Sequence, residues 1–468
     1  MLKGCSGSKF SFRPSFPSDG NVPPFQGERL NVLLIVCDDM NRRLSCYGDP
    51  ISVTPNIDRL ALSGILFRNA HNQYPLCNPS RTSLLSGYYP MTTRVWNNLD
   101  SLRPLFPDLS FLPHHFRTNG YWTARVGKVF HHGQDDPASW NYAFPAYRSV
   151  DEADDRRQTS WSPYEGSIGF LRWQAVDVDE WQLSDGRLTR MAADLIKNHL
   201  KERPGQPFFI SVGIVRPHLP WIAPRKYFDL YDLFSMPLPS TLRLIPTGPP
   251  KQVLHYYPEV QDLTDEQAKI ATRAYYACLS FADTLIGFLL DTLEEQKISD
   301  KTIIVLTSDN GYHLGEHGGF WEKRTLFEES TAVPLILSAP HVPIYGVQCL
   351  RPVELVDLYP TLCELCALPQ PAHRLHGRSL VPLLLNPRSS WNKPALTMFN
   401  WTPYTGYSIR TERWRYTLWE GNDRVLELYD HDSDPAETTN LAYDSRYASI
   451  VKDLDALLSV RRAHGSVP

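Results

Sequence analysis

Asn31-Val-Leu-Leu-Ile-Val-Cys37-Asp38-Asp39 decides how this chain folds. A continuous apolar run without polar alternation reads as a strand buried on both faces, the mark of a parallel sheet. It ends in two adjacent carboxylates. An Asp pair is ordinarily a helix cap or a solvated turn, yet after a fully apolar strand such a pair is costly unless something positive sits between. A hard divalent cation is the better reading, and oxygen donors point to Ca²⁺ or Mg²⁺. The pattern recurs at Lys301-Thr-Ile-Ile-Val-Leu-Thr-Ser308, which runs into Asp309-Asn310-Gly311. Asp309 and Asn310 would complete a four-oxygen site with Asp38 and Asp39.

Working outward, apolar runs at 121–128, 207–215 and 333–338 predict further strands, and 67–70 an extended segment. Between them, 54–64, 113–120 and 184–200 read as helices, and 264–295 as one long helix or a pair. Buried strands alternating with helices predict an α/β fold. The stretch 137–185 is loop-rich, with many Trp, Tyr, Asp and Ser and little periodicity. Lys128 and His131 stand at one strand exit and His218, stiffened by Pro217 and Pro220, at another. Strand exits of one sheet line one crevice.

The most telling stretch of loop and helix is Cys77-Asn78-Pro79-Ser80-Arg81, followed by Thr82 to Gly87. Pro79 suits a first helical turn, Asn78 is a candidate cap, and Gly87 a stop. Cys77 then lies just outside a helix N-terminus, where free N–H groups favour an anion, and Arg81 points a permanent charge at the same spot. A lone cysteine at a helix start is usually a buried structural thiol. Here the surrounding pattern makes it a candidate nucleophile meeting an anionic substrate.

The chain has 468 residues, enough for a large domain plus a smaller one, and is 42% apolar and 21% charged, as ordinary globular proteins are. A net charge of -4 without a Lys/Arg block offers no footprint for nucleic acid. No uninterrupted apolar run approaches the roughly 18 residues of a membrane span. Residues 1–27 read as a flexible polar lead-in without an apolar core, so no signal peptide is visible and localisation stays open. The 8 cysteines are scattered, unlike a disulfide framework. Cys363-Glu-Leu-Cys366 lies in a helical-looking apolar stretch from Val353 and reads as structural thiols.

One competing motif is His313-Leu-Gly-Glu316-His317, which fits the inverted zinc-peptidase pattern. That chemistry needs a helix, and Gly311, Gly315, Gly318 and Gly319 disfavour one. Beyond Gly377 the texture changes. The runs 407–412, 414–419 and 425–429 read as antiparallel strands with a turn at 421–423, and 447–462 as a closing helix. The expected organisation is a lead-in at 1–27, a catalytic domain at 28–380 and a C-terminal α+β subdomain at 381–468.

With these pieces placed, Cys77-x-Pro79-Ser80-Arg81 and Leu85-Ser86-Gly87 resemble the signature of the type I sulfatases, with Ser86 where that family more often has Thr. The stretches Gly127-Lys-Val-Phe-His131, Arg216-Pro-His-Leu-Pro220, Thr307-Ser-Asp-Asn-Gly311 and Leu314-Gly-Glu-His-Gly318 extend the resemblance over nearly the whole chain. Within the family it is most similar to the iduronate-2-sulfatase branch, which has His where this chain has Asn310. Trp96-Asn97-Asn98-Leu99 also differs from that branch.

The resemblance implies an alkaline-phosphatase-like fold, with a large mixed, mostly parallel sheet flanked by helices. It implies that Cys77 is oxidised to formylglycine by a formylglycine-generating enzyme, and that Asp38, Asp39, Asp309 and Asn310, with the modified Cys77, hold Ca²⁺ or Mg²⁺. It assigns Arg81 to steadying the modified Cys77, and Lys128, His131, His218 and Lys323 to the sulfate pocket, with a sulfated carbohydrate as substrate. Formylglycine hydrates to a gem-diol, whose first hydroxyl attacks sulfur and whose second expels sulfate. A phosphodiester or phosphonate hydrolase of the same superfamily and a non-catalytic glycan-binding relative are the alternatives.

Overall fold

The computed structural model describes residues 29–145 and 166–466. The lead-in 1–27, Cys5, residues 146–165 of the loop-rich stretch and the last two residues of the C-terminal subdomain lie outside the described residues.

The main sheet is built from β1 (Asn31–Asp38), β2 (Ile65–His71), β3 (Trp122–Gly127), β4 (Tyr142–Pro145), β7 (Phe208–Pro217), β9 (Thr302–Ser308), β10 (Ala332–Val333), β11 (Leu335–Ser338) and β12 (Val347–Glu354). A small sheet beside it comprises β5 (Gly166–Ile168), β6 (Leu171–Val176) and β8 (Trp221–Pro224). The main order is β10-β2-β11-β9-β1-β7-β3-β4, with β12 paired to β2. Pairs β9·β1, β1·β7, β7·β3 and β3·β4 are parallel, whereas β11 runs antiparallel to both β9 and β2. The sheet is therefore mixed and mostly parallel, as expected.

β1 lies centrally and explains its own composition. Leu33, Ile35 and Cys37 face one core with the helices α4 (Ser184–Glu202) and α5 (Asp265–Glu295). Val32, Leu34 and Val36 face a second core with α2 (Cys77–Ser86), α3 (Leu112–Thr118) and α6 (Leu358–Leu365). The helix expected at 54–64 is α1 (Pro55–Ser63), with Pro in its first turn. α5 is a single helix, opened by a capping box in which Thr264 Oγ1 accepts from the Gln267 N–H and the Gln267 side chain accepts from the Thr264 N–H. It is long and apolar enough to cross a membrane, but 83% of its most apolar window is buried within the protein.

Three expectations need correction. Val353 belongs to β12 and not to a helix; the helix begins only at Leu358. The 333–338 run is two strands, β10 and β11, because Pro334 has no N–H for the ladder. The 137–185 stretch holds β4, β5 and β6, which short length and polar alternation concealed.

The C-terminal sheet has order β13-β14-β15-β16, all antiparallel: β13 (Ala395–Trp401), β14 (Tyr404–Arg410), β15 (Trp414–Glu420) and β16 (Arg424–Asp430). β13 was not expected from the sequence. The closing helix α7 (Ala448–Gly465) buries Leu454 and Leu458 against Ile409, Tyr416 and Leu428. This sheet is tied to the main one by charge. Arg415 bridges Glu328 and Glu437, and the Arg461 guanidinium lies 2.8 Å from Glu354.

Glu427 is buried under this sheet, accepting from Trp419 Nε1–H and Tyr429 O–H at 2.6 Å each, and burial pushes its carboxyl up to about 7. Between about pH 4.5 and 7 the folded chain keeps a proton that the unfolded chain releases, so stability falls as pH rises through that window. Glu427→Gln is expected to flatten this part of the stability–pH curve, read as denaturant midpoints from pH 5 to 8.

Candidate active site

The register of the central strands assembles the site. Cys37 pairs with Ser308 across β1 and β9, so the residues that follow, Asp38-Asp39 and Asp309-Asn310, leave the sheet side by side. The Asp39 N–H donates to Asp309 Oδ1 at 3.1 Å, and Tyr275 O–H donates to the Asp39 carbonyl at 2.8 Å. These contacts hold Asp39 at φ 61°, a left-handed conformation that Asp tolerates better than most residues. Asp38, Asp39 and Asp309 are each at most 1% exposed and bring carboxylate oxygens within 4.8 Å of one another.

Asn310 completes the set. Its Nδ2 donates to Asp39 Oδ1 at 2.7 Å and to the Gly311 carbonyl, which leaves the buried Oδ1 without a partner. An orphaned amide oxygen beside three buried carboxylates fits a hard divalent cation.

Helix α2 delivers the next group. Gly87, at φ 73°, ends the helix with its N–H on the Ser83 carbonyl, as expected. The start differs. Cys77 is the first helical residue, not the one before it, and Leu76 at the cap position makes no side-chain bond. Asn78 does not cap; its amide donates to the carbonyls of Asn97 (2.9 Å) and Asp100 (2.8 Å), pinning the 96–100 loop against the helix. Ser80 Oγ donates to the Asp309 carbonyl, locking the helix to the end of β9.

Cations interleave with the carboxylates. Arg81 donates from Nε to Asp309 Oδ2 at 2.8 Å and from Nη2 to Asp38 Oδ1 at 3.1 Å, while Nη1 reaches the carbonyls of Lys128 and Val129. Lys128 Nζ bonds Asp38, and Lys323 Nζ lies 2.6 Å from both oxygens of Asp39. His218 Nε2 is 3.8 Å from Asp39 Oδ2, and His218 Nδ1 is 2.6 Å from the Leu219 carbonyl. Asp38, Cys77 and His218 also bring ligand atoms within 4.8 Å of one another. His131 sits at the edge of the group, 3.2 Å from the His132 carbonyl and in the field of Lys128.

The electrostatics follow from burial and these neighbours. Against its burial, Asp38 is held well below the usual carboxylate range by Lys128, His218 and Arg81. Burial pushes Asp309 up to about 7, although Arg81 opposes it. Burial and then Lys128 push His131 down to about 3; burial and Lys323 lower His218. Burial and Asp38 raise the Cys77 thiol, so an unmodified cysteine here is a poor nucleophile.

Asp38, Asp39, Asp309, Asn310, Cys77, Arg81, Lys128, His218 and Lys323 are thus brought together, with His131 in the field of Lys128 beside them. Asp185 carried no such signal. Its carboxylate accepts from the N–H groups of Val215 (3.0 Å) and Arg216 (2.9 Å), fixing the strand end that presents His218. Nor did the sequence mark an aromatic rim next to Lys323: Arg324 lies over the rings of Tyr257 and Trp401, and His255 packs on both. Position beside Lys323 was the only available clue to Arg324.

A model of the sulfatase family matches residues 30–367, and a second, described as N-sulphoglucosamine sulphohydrolase, C-terminal, matches residues 315–464. Iduronate 2-sulfatase of Homo sapiens is 32% identical, covering 90% of this chain and 92% of its own. A sulfatase of Formosa agariphila is 33% identical, covering 92% and 86%. Among solved structures, the phosphonate monoester hydrolase of Agrobacterium radiobacter superposes with a TM-score of 0.77 at 25% identity, covering 93% and 96%. The chain belongs to the sulfatase family and has its alkaline-phosphatase-like fold. More narrowly, it is a type I sulfatase of the iduronate-2-sulfatase-like kind, a sulfuric ester hydrolase.

Arg81 is 1% exposed and is shared by two buried carboxylates. Arg81→Met is expected to cost about 3–5 kcal/mol, because it strands buried charge, and a urea unfolding curve would measure it.

Proposed function

We propose that the chain hydrolyses a sulfate ester on a sugar, with iduronate 2-sulfate or a similar uronic-acid or glycan sulfate at the end of a glycosaminoglycan chain as the first candidate. The observation that carries the reading is the convergence of three buried carboxylates, the orphaned Asn310 oxygen and two lysines around Cys77. The sugar is suggested by the likeness to iduronate 2-sulfatase over 90% of the chain. The reading assigns the catalytic domain to 28–380 and the supporting subdomain to 381–468.

Formylglycine, made from Cys77 by a maturing enzyme, would supply a hydrated aldehyde as nucleophile, one that can expel sulfate where a plain serine or thiol cannot. Asp38, Asp39, Asp309 and Asn310, with the modified Cys77, would hold a Ca²⁺ or Mg²⁺ ion as Lewis acid. Lys128, Lys323 and Arg81 neutralise the charge of the sulfuryl group. His131, kept neutral by burial and Lys128, would help take the proton of the second hydroxyl of the hydrated aldehyde, the one that expels sulfate. His218 protonates the leaving sugar oxygen, since an incoming sulfate favours its charged form against burial and Lys323.

Protein co-expressed with a maturing enzyme is expected to carry an aldehyde at position 77 by peptide mass spectrometry and to desulfate terminal iduronate 2-sulfate. Cys77→Ala is expected to abolish turnover while leaving the circular dichroism spectrum unchanged. His218→Ala should lower kcat on a sugar sulfate by about 10²–10⁴, and far less on an activated aryl sulfate whose leaving group needs no proton. Likeness to the phosphonate monoester hydrolase supports a second reading, phosphonate or phosphodiester hydrolysis. Faster turnover of an aryl phosphonate than of the matching aryl sulfate would establish it over the first.

A further inference from the structure

The His313-Leu-Gly-Glu316-His317 motif forms no regular helix, yet the fold brings its two histidines together. Gly315 (φ 96°), His317 (φ 53°) and Gly318 (φ 81°) all take left-handed conformations, and the imidazole centroids end 5.6 Å apart. A non-glycine residue held at positive φ is strained, and such positions concentrate at functional sites.

Both rings face one carboxylate. His317 Nε2 lies 3.1 Å from Glu329 Oε2, its ring stacked on Phe327 at 3.8 Å. His313 Nδ1 lies 4.0 Å from the same oxygen and 3.8 Å from Glu316 Oε2. His313 is fully buried and its Nδ1 has no hydrogen-bond partner. The other ring nitrogen explains why. Thr325 Oγ1 spends its hydrogen on Ser330 Oγ, so at 2.8 Å it accepts from His313 Nε2–H. Nδ1 therefore carries a lone pair, aimed at two carboxylate oxygens. Lone pairs facing each other in a buried site call for a cation between them.

We propose that His313, His317 and Glu329 form a second metal site, separate from the acidic cluster around Asp38, that binds a divalent transition metal of the Zn²⁺ class. The three donor atoms lie within 4.8 Å of one another. Two imidazoles and a carboxylate are the donors Zn²⁺ takes, at about 2.0–2.2 Å each, so the site closes slightly when filled. Glu316 Oε2, which also accepts from the Leu314 N–H, can turn its second lone pair to the ion as fourth ligand or accept from a bound water. Its other oxygen is held by Arg43 at 3.0 Å. The hydrogen bond from His313 to Thr325 is the outer contact that orients a ligating histidine. Glu316 and Glu329 also line two clefts of about 260 Å³ each, which give an ion a way in. The role of the site is structural. The His313 N–H donates to the Glu322 carbonyl at 2.9 Å, so an ion there braces the segment joining Asn310 to Lys323.

The test uses full-length protein saturated with Ca²⁺ and titrated with Co²⁺ as a visible stand-in for Zn²⁺. One equivalent of Co²⁺ with the absorption of a low-coordinate centre is expected, retained in Asp309→Asn and lost in both His313→Ala and Glu329→Gln. Glu329→Gln keeps the side-chain shape, so it serves if His313→Ala does not fold. Absence of Co²⁺ uptake by the wild-type chain would overturn the proposal and leave His317 and Glu329 a simple ion pair. Uptake lost in Asp309→Asn but kept in Glu329→Gln would overturn it too, by placing the metal in the acidic cluster.

Discussion

Neutralising buried carboxylate charge is the constraint from which the rest of the structure follows. Asp38, Asp39 and Asp309 are buried at the ends of two apolar strands, where isolated carboxylates would be prohibitive. The fold meets the demand with cations from three different places. Arg81 comes from α2, Lys128 from the end of β3 and Lys323 from the loop after Gly319. Each brings its own element into contact with the strand ends. The helix that carries Cys77 is thereby docked by the same charge that serves the site, and its position does not depend on apolar packing alone.

Buried ion pairs of this kind add little to net stability, because desolvation offsets most of the attraction. Their value here is positional. An arginine with two carboxylate partners and two carbonyl partners has one orientation, which leaves Cys77 facing Asp38 and His218. A similar logic operates farther out, where Arg415 and Arg461 fasten the C-terminal sheet and its closing helix to the main domain through Glu328 and Glu354.

Much of this was legible in the sequence because the central strands are buried on both faces. A strand such as β1 contacts two cores and so cannot carry polar residues until it ends, which makes Asp38 and Asp309 conspicuous. Edge and small-sheet strands lack that pressure. β6 alternates buried and more exposed residues over its first half, β5 buries none of its three, and β13 is preceded by a proline-containing loop, so none of them stood out. Local helix chemistry was read half correctly. Gly87 behaves as its lack of a side chain dictates, whereas Asn78 abandons capping for the carbonyls of Asn97 and Asp100, a tertiary choice that local rules do not contain. Asp185 was invisible for the same reason. Its partners lie across the fold on β7.

The contact between Asn310 and Asp39 spans 271 positions of the chain. Such a non-local pairing forms late, since its ends must both exist and meet before either is rewarded. During synthesis the peptide around Cys77 emerges long before β9, to whose end Ser80 and Arg81 are bonded in the finished fold. In the finished fold that cysteine is 1% exposed. Topology would thus act as a clock on the modification proposed for Cys77: an enzyme altering that side chain would have only the interval between those two events.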